Sequence, residues 1–461
     1  ERGTYALTDP AGEGVYYGGS DYATLGASLF FIQNDALWGT TGQPLSTQLI
    51  SDAGRFTDLI ATTDYLFLDT PDAIWRSDGT ENGTTQFITL IGRILGTFGN
   101  LLLYSEQNDA DGWEIWRTDG TQVGTYLLKD VFPDESSFWA SFNIETQTDD
   151  FFIFRFEPSG GDPTYWRSDG TTLGTTQVLE NMPFTNRIDY FYSGKQTIYL
   201  EEDDKLWALQ QGETEADLVM EEGFWGFEAI IAGDSLYFPE SSELHGEEPW
   251  VSMGTSETTG MITDLHVGYA GLFFQEMYRH QNLLLFVQTN QNLWVSDGTE
   301  TNTFLLKSFD RVRAFTEFND AIYFLAVDEE ENAGLWRTDG TIDGTVLVHS
   351  FSRVWNSLES GIPAQIKLFR EHIYFFAQDE NSNVLNLWRS DGTSEGTEVV
   401  QATIGETDFE TLQIYYGTQI TVTSKGLYLI GWRNGERAIV FTDGENFVNT
   451  RNIIDLPRRE D

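Results

Sequence analysis

One short acidic segment of the sequence has the residue types of a calcium site. Its candidate ligands are Asn108, Asp109, Asp111 and Glu114, with Gly112 among them for a sharp turn. Calcium takes about six to eight oxygen ligands, so these side chains would supply part of its coordination shell. The segment is shorter than an EF-hand loop, and an acidic β-hairpin explains it equally well. Calcium here is therefore a hypothesis, and the sequence indicates no other cofactor.

Other catalytic patterns are weak. The five histidines, at positions 245, 266, 280, 349 and 372, are scattered and lack the spacing of a zinc site. The sequence has no phosphate-binding loop, dinucleotide fingerprint or serine elbow. Carboxylates are numerous, but a glycosidase needs two of them within about 5–10 Å, and the sequence does not show which ones meet. We therefore predict that the chain is not an enzyme, with a carbohydrate-active enzyme (a polysaccharide lyase or glycosidase) as the alternative.

The strongest pattern in the chain is a repeated Trp-x-[Ser/Thr]-Asp-Gly-Thr motif. Complete copies begin at Trp75, Trp116, Trp166, Trp294, Trp336 and Trp388, and degenerate copies at Trp38, Trp207, Trp250 and Val440. A second Gly-Thr follows four residues after the first in most complete copies, as at Gly83. Successive anchors lie 37 to 52 residues apart. That period suits a unit of four short strands.

These units predict an all-β fold. Apolar runs such as Ile322–Leu325 precede the anchors and are typical of buried strands, and each Asp-Gly suits a tight hairpin. We predict a β-propeller of about ten four-stranded blades in one ring, as a single repeat domain spanning residues 1–461. Two smaller propellers in tandem are the alternative. The anchor Trp is predicted to pack between blades, and the Arg that follows it in five copies to pair with a turn Asp.

The repeat resembles the ELWxxDGT repeat of secreted and surface-associated bacterial proteins. The likeness covers nearly the whole chain, and Glu114-Ile115-Trp116 and Glu248-Pro249-Trp250 approach the leading Glu-Leu-Trp. Lys205-Leu206-Trp207 lacks the Glu. The resemblance implies an extracellular or envelope-facing propeller-like scaffold without defined chemistry, and it carries no catalytic residues.

Strand alternation predicts two distinct ends of each blade. The Asp-Gly-Thr turns lie at one end, and the turn before the Trp strand lies at the other, together with the linker to the next unit. This second end is acidic and rich in irregular segments, where scaffolds often carry function. The candidate binding residues there are Trp139, Trp225, Tyr269, Arg311, Arg313 and Trp355.

Composition narrows the partners. The formal net charge of −47 repels nucleic acid and anionic lipid, and no apolar run reaches the length of a membrane span. We therefore expect a chain that does not span a membrane and binds a protein or glycan, as a structural module or a subunit of a larger surface assembly. A calcium-stabilised adhesin is a further alternative. We expect a secreted, periplasmic or surface location in a bacterium. The start at Glu1 instead of Met fits a mature chain without its leader, and the chain contains no cysteine.

Overall fold

The protein's structure is a computed structural model that describes residues 22–41, 46–89, 92–108, 112–131, 140–180, 182, 188–224, 229–242, 244–265, 274–280, 283–289, 291–352, 365–378, 385–402, 412–413, 419–433, 436–443, 446–447 and 455–456. Within these ranges the elements are β-strands and two short 3-10 turns, at Ser256–Thr258 and Glu300–Asn302, which confirms the all-β class. The chain divides into two compact units. Unit 1 ends at residue 270 and unit 2 follows it, except that residues 26–29 and 39–48 belong to unit 2.

Seven sheets have four strands each, paired in chain order. The first three sheets are β1 (Tyr22–Leu25), β2 (Ser28–Gln33), β3 (Ala36–Thr40) and β4 (Gln48–Ser51); β5 (Asp58–Ala61), β6 (Leu66–Thr70), β7 (Ala73–Ser77) and β8 (Thr85–Thr89); and β9 (Gly92–Phe98), β10 (Leu101–Asn108), β11 (Gly112–Thr118) and β12 (Tyr126–Lys129). The next three are β13 (Ala140–Gln147), β14 (Phe152–Pro158), β15 (Thr164–Ser168) and β16 (Thr176–Val178); β17 (Tyr190–Ser193), β18 (Thr197–Glu202), β19 (Lys205–Gln210) and β20 (Asp217–Met220); and β21 (Ile230–Ala232), β22 (Ser235–Ser242), β23 (Gly246–Ser252) and β24 (Gly260–Met261).

Unit 2 holds the seventh four-stranded sheet and two larger sheets. One seven-stranded sheet comprises β25 (Phe274–His280), β26 (Leu283–Gln288), β27 (Asn292–Ser296), β28 (Phe304–Phe318), β29 (Ala321–Asp328), β30 (Ala333–Thr338) and β31 (Val346–Phe351). The four-stranded sheet follows with β32 (Ile366–Phe369), β33 (His372–Gln378), β34 (Leu385–Ser390) and β35 (Glu398–Val399). The last sheet has β36 (Gln401–Ala402), β37 (Leu412–Gln413), β38 (Gln419–Val422), β39 (Leu427–Arg433), β40 (Glu436–Thr442), β41 (Asn446–Phe447) and β42 (Asp455–Leu456).

The expectation of about ten four-stranded blades in one ring is wrong. The described residues form seven four-stranded blades of a β-propeller, together with the two seven-stranded sheets. Repeats and sheets differ in number because β28 is 15 residues long and pairs with β27 through its first half and with β29 through its second half. The repeats anchored at Trp294 and Trp336 therefore share one sheet. The last sheet also departs from the unit, since β36 pairs with β41 in parallel.

The hydrophobic core lies between successive sheets. In unit 1, Leu103 and Ile115 of one sheet share a buried cluster with Phe154 and Trp166 of the next. The second strands are largely buried on both faces, and all six residues of β18 are buried. Burial on both faces explains why the sequence has continuous apolar runs here instead of alternating ones. The Trp166 side chain lies in this cluster, as expected for an anchor that packs between blades.

First strands follow one another along each unit. In unit 1, β1 contacts β5, and the series continues through β9, β13, β17 and β21. In unit 2, β25 contacts β28, β28 contacts β32, and β32 contacts β38. Unit 2 also includes a contact with the first sheet, where the Tyr428 hydroxyl donates to the carbonyl of Thr40 at 3.2 Å. This succession of first strands places side chains of neighbouring repeats opposite each other.

Candidate functional site

The Asp-Gly-Thr turn satisfies its own polar groups. In the turn after β7, the amide and hydroxyl of Thr80 donate to Asp78 Oδ1 at 2.9 and 2.7 Å. Ser77 and Thr84 join their hydroxyls at 2.6 Å, and the Gly83 amide donates to Thr80 Oγ1 at 3.0 Å. A Cβ on Gly83 would overlap with the Asp78 carboxylate. The second Gly-Thr of the motif therefore leaves space for the Asp and supplies a hydroxyl to the network.

The same network recurs in the later complete copies. Hydrogen bonds from the following Thr lower the pKa of the turn aspartates Asp78, Asp119, Asp297, Asp339 and Asp391. The turn at Asp297 has no second glycine, and there Asn302 Nδ2 donates to Asp297 Oδ2 at 2.7 Å. These five aspartates are thus ionised side chains engaged in their own turns, and we assign them a structural role.

Two of the arginines that follow the anchors connect neighbouring sheets. Arg117 Nη1 donates to the carbonyl of Gly170 in the next turn at 3.1 Å, and Arg76 Nη1 contacts the carbonyl of Gly120 in the same way. The Arg76 guanidinium also lies 4.7 Å from the centre of the Tyr65 ring. Among the ion pairs of the described residues, neither arginine shows the expected pair with a turn aspartate. These arginines therefore bind turn carbonyls of the next sheet.

Glu114, one of the calcium candidates, is engaged inside the fold. Its Oε2 accepts the backbone N–H of Val131 at 2.7 Å, and the residue is fully buried. Glu248, at the matching position of a later copy, accepts the N–H of Leu265 at the same distance. The Glu of the motif thus fixes the segment that follows the fourth strand. The carboxylate oxygen that accepts the Val131 N–H is therefore engaged within the fold and is not available as a metal ligand.

The other three candidate calcium ligands lie at the edge of the described residues or outside them. Asn108 ends β10, whereas Asp109 and Asp111 lie outside the described residues. In the described part of the chain, no group of three or more His, Asp or Glu could hold a metal ion. Calcium at this turn stays a prediction.

The candidate binding residues all fall where one repeat passes to the next. Trp139, Trp225, Tyr269 and Trp355 lie between a fourth strand and the following first strand, outside the described residues. Arg311 and Arg313 lie on β28 at the equivalent place, and Arg311 Nε contacts Asp310 Oδ2 at 3.1 Å. In each four-stranded sheet, chain order places this passage at the end opposite the Asp-Gly-Thr turn. We call this the linker end.

Arg313 belongs to a set of three side-chain pairs between β25 and β28, which we call the interstrand ladder. At its first pair, Arg313 Nη1 lies 3.6 Å from Glu276 Oε1. At the second pair, the rings of Tyr278 and Phe315 stack with their centres 5.6 Å apart. At the third pair, His280 Nδ1 lies 2.9 Å from Glu317 Oε2, and the geometry is not that of a hydrogen bond. The ladder therefore has a carboxyl beside a nitrogen-bearing side chain at each end and an aromatic pair between them.

Electrostatics at the ladder are set by partial burial. Burial raises the pKa of Glu276 to about 7, while Arg313 and the backbone N–H of Ala314 act to lower it. Ala314 has a φ of +59°, unusual for a residue with a side chain, and it lies in a β-bulge of β28. The bulge turns this amide toward Glu276. Arg313 keeps 40 % of its side chain exposed, so the first pair is open to a ligand.

The sequence identified only one side of this ladder. Arg311 and Arg313 were candidates because they are basic residues in a passage between repeats, whereas Glu276, Tyr278 and His280 were not. An available signal was their alternation, since residues two apart on a strand share a face. The ladder does not supply the carboxylate pair of a glycosidase. Glu276 and Glu317 belong to pairs four residues apart along the strand, or roughly 13 Å at about 3.3 Å per residue.

Buried carboxyls with raised pKa also lie in other sheets of the described chain, and the largest shifts among them are at Asp69 and Glu240. Burial, and then repulsion by Asp58, raises the pKa of Asp69 to about 6. Burial, and then repulsion by Glu247, raises the pKa of Glu240 to about 8. In each case the repelling carboxylate lies in the same sheet, and neither Asp69 nor Glu240 belongs to the ladder.

Comparisons with known proteins find only distant likenesses. No protein-family model and no curated protein matches the chain. Among solved structures, the computationally designed protein Ika8 is similar at 13 % identity over 70 % of this chain and 97 % of its own, with a TM-score of 0.35. Dipeptidyl peptidase 4 of Porphyromonas gingivalis is similar at 8 % identity over 79 % of this chain and 59 % of its own, with a TM-score of 0.46. A prolyl endopeptidase is similar at 10 % identity over 76 % and 55 %, with a TM-score of 0.34. Likenesses this distant carry no argument about function.

No helix among the described residues combines the length and the apolar character that crossing a membrane requires.

Proposed function

We propose that this chain is a binding scaffold that engages a protein or glycan partner through the linker end of its sheets. The observation that carries the proposal is the interstrand ladder, where the Glu276 carboxyl, the Arg313 guanidinium and the Tyr278 ring lie close together. The candidate residue Arg311 lies on the same strand as Arg313, two residues before it. Charged groups and rings in such proximity are the means by which proteins recognise polar partners and sugars.

The motif residues and the ladder residues have different roles, and this difference supports the proposal. Asp78, Thr80 and Ser77 form hydrogen bonds inside one turn, and Arg117 and Glu114 fix neighbouring segments. The motif residues are thus used to hold the fold. The ladder residues lie outside the motif, and they belong to first strands, whose polar side chains differ from repeat to repeat. Variation on a constant frame is typical of binding proteins.

The test is a glycan array and a pull-down from the envelope fraction of the producing organism, both carried out with the intact chain. We expect a partner whose affinity falls about tenfold or more in Arg311→Ala and Arg313→Ala, because a charged hydrogen bond contributes about 1.5–3 kcal/mol. Arg279→Ala is the matched control, since Arg279 is exposed on the other face of β25. Equal affinity in all three variants would contradict the proposal.

The location and family of the chain extend this proposal. The six complete motifs that resemble ELWxxDGT repeats support a bacterial surface or secreted protein, acting as a structural module or a subunit of a larger assembly. Cell fractionation with an antibody to the chain would test this location. Recovery in the cytoplasm alone would contradict it.

A carbohydrate-active enzyme is the second candidate, and the observation in its favour is the pKa of Glu276 near 7, which suits a general acid. Turnover of any glycan identified on the array, abolished in Glu276→Gln, would support it. Binding without turnover is the outcome we expect.

A further inference from the structure

The turns of three successive sheets in unit 1 form one surface at the end opposite the linkers. We call it the turn surface, and it comprises residues 62–65, 78–84, 99–100, 119–125, 148–151 and 169–175, from the sheets β5–β8, β9–β12 and β13–β16. Side chains join these turns. Asn100 Nδ2 donates to Asp64 Oδ2 at 2.8 Å, and Arg117 reaches Gly170 in the next sheet. The turns are therefore close neighbours held in fixed positions.

Two apolar side chains project from the turn surface into solvent. Val123 is 92 % exposed and Leu173 is 97 % exposed. Both stand directly before the second glycine of the motif, and they belong to adjacent sheets. The turn's hydrogen bonds use the Asp, Thr and Gly positions and leave this position without a structural task. The matching residue is polar in another copy, Asn82, so the turn does not require an apolar side chain there.

The same surface is strongly acidic. Its carboxylates are Asp64, Asp78, Glu81, Asp119, Asp149, Asp150 and Asp169, and its turn residues include no Lys, Arg or His. Three arginines lie just below on the strands, and their guanidinium groups are engaged with turn carbonyls or rings, as Arg167 is 3.9 Å from the centre of the Phe151 ring. Thr80 and Thr121 lower the pKa of Asp78 and Asp119, which keeps both ionised at neutral pH.

We propose that the turn surface docks a cationic, amphipathic segment of a partner protein. Apolar residues of that segment cover Val123 and Leu173, and its Lys or Arg side chains face the surrounding carboxylates. The charge of the surface selects this occupant over a second copy of the chain, because two copies would bring the same carboxylates together. This goes beyond the proposed function, since it concerns the opposite end of the sheets and other residues.

The test uses a fluorescein-labelled peptide of alternating Lys and Leu as the probe, with fluorescence anisotropy at low salt. We expect the intact chain to bind it, and the double variant Val123→Ser/Leu173→Ser to bind roughly tenfold or more weakly. Leu244→Ser is the matched control, because Leu244 is 76 % exposed in a turn of unit 1 at the linker end. That variant should bind as the parent does, and added salt should weaken every complex.

Several results would overturn the proposal. The parent chain could fail to bind the peptide, or the double variant could bind it unchanged. A peptide of alternating Lys and Ser could bind equally well, which would leave only a non-specific acidic surface. Sedimentation could show the parent as a dimer and the double variant as a monomer, which would make the occupant a second copy. Peptide affinity in Arg311→Ala/Arg313→Ala should equal that of the parent, so a failure of this proposal is distinguishable from a failure at the linker end.

Discussion

The Asp-Gly-Thr turns and the interstrand ladder position charged side chains in opposite ways. In the turn, Ser77 and Thr84 are seven residues apart, and the whole network lies within one hairpin. In the ladder, each pair joins residues 37 apart in sequence, such as Glu276 and Arg313, on two strands that do not pair with each other. The turn is repeated with little change, whereas first strands elsewhere meet through other side chains, such as Thr146 and Ser193, whose hydroxyls lie 2.7 Å apart. Hydrogen bonds within one hairpin maintain the fold of every repeat, whereas side-chain pairs between distant segments can differ from one repeat to the next.

The largest expected effect comes from breaking the turn. Gly124→Ala would place a Cβ against the Asp119 carboxylate, and forcing the two apart should lower the free energy of unfolding by about 2–3 kcal/mol. Asn302→Ala is the matched control, because the turn at Asp297 has no such glycine and loses only an exposed side-chain hydrogen bond. It should cost less than about 1 kcal/mol. Urea unfolding measures both, and equal losses would show that the close approach is unimportant.

The next effect concerns the motif Glu. Glu114→Ala removes the acceptor of the buried Val131 N–H and should lower the free energy of unfolding by about 1–3 kcal/mol. Glu114→Gln keeps an acceptor at this place and should lose less. Urea unfolding again provides the measurement. A larger loss in Glu114→Gln than in Glu114→Ala would contradict the structural role of this carboxylate.

The ladder is predicted to respond to pH in a way that the turns do not. Burial raises the pKa of Glu276 from its ordinary value of 4.5 to about 7 in the folded chain, so the folded state holds this proton more tightly than the unfolded state. Ionisation of Glu276 therefore leaves the free energy of unfolding unchanged below about pH 4 and lowers it progressively as the pH rises to about 7. Glu276→Gln should raise the free energy of unfolding at pH 8 by on the order of 2 kcal/mol and leave it unchanged at pH 4.

Urea unfolding at the two pH values measures this difference. Glu317→Gln removes an exposed carboxylate from the same ladder and controls for the loss of one negative charge. A gain at pH 8 of equal size in both variants would assign the effect to net charge and contradict the account of Glu276.

The smallest expected effect is that of calcium. If Asn108, Asp109 and Asp111 bind the ion, calcium at about ten times its Kd should stabilise the fold by about 1.4 kcal/mol and raise the melting temperature. Asp109→Asn/Asp111→Asn should abolish that shift. A melting temperature that is the same with calcium and with chelator would remove the hypothesis.

The turns could be predicted from the sequence, and the ladder could not. The Asp-Gly-Thr segment that begins at Asp78 specifies its structure within a few residues, so six complete copies were recognisable. Glu276 and Arg313 meet only because β25 and β28 are neighbouring first strands, and a bulge at Ala314 turns an amide toward the carboxylate. Periodicity in one segment does not reveal which distant segment it will face.

The blade count failed for a related reason. A repeated anchor predicts a separate sheet only where the fourth strand of one unit ends before the first strand of the next unit begins. Residues 304–318 contain no Gly or Pro, so β28 continues as one strand from one repeat into the next. The absence of a strand-breaking residue was the sequence signal for one continuous strand. The regular anchors at Trp294 and Trp336 instead indicated two separate sheets.

Hydrogen exchange of the intact chain, measured with and without its captured partner, tests the binding account most directly. We predict that the partner slows exchange in β25 and in residues 311–317 of β28 and leaves the Asp-Gly-Thr turn at Asp339 in the same unit unchanged. Protection confined to the turns, with β25 and β28 exchanging as in the free chain, would contradict it.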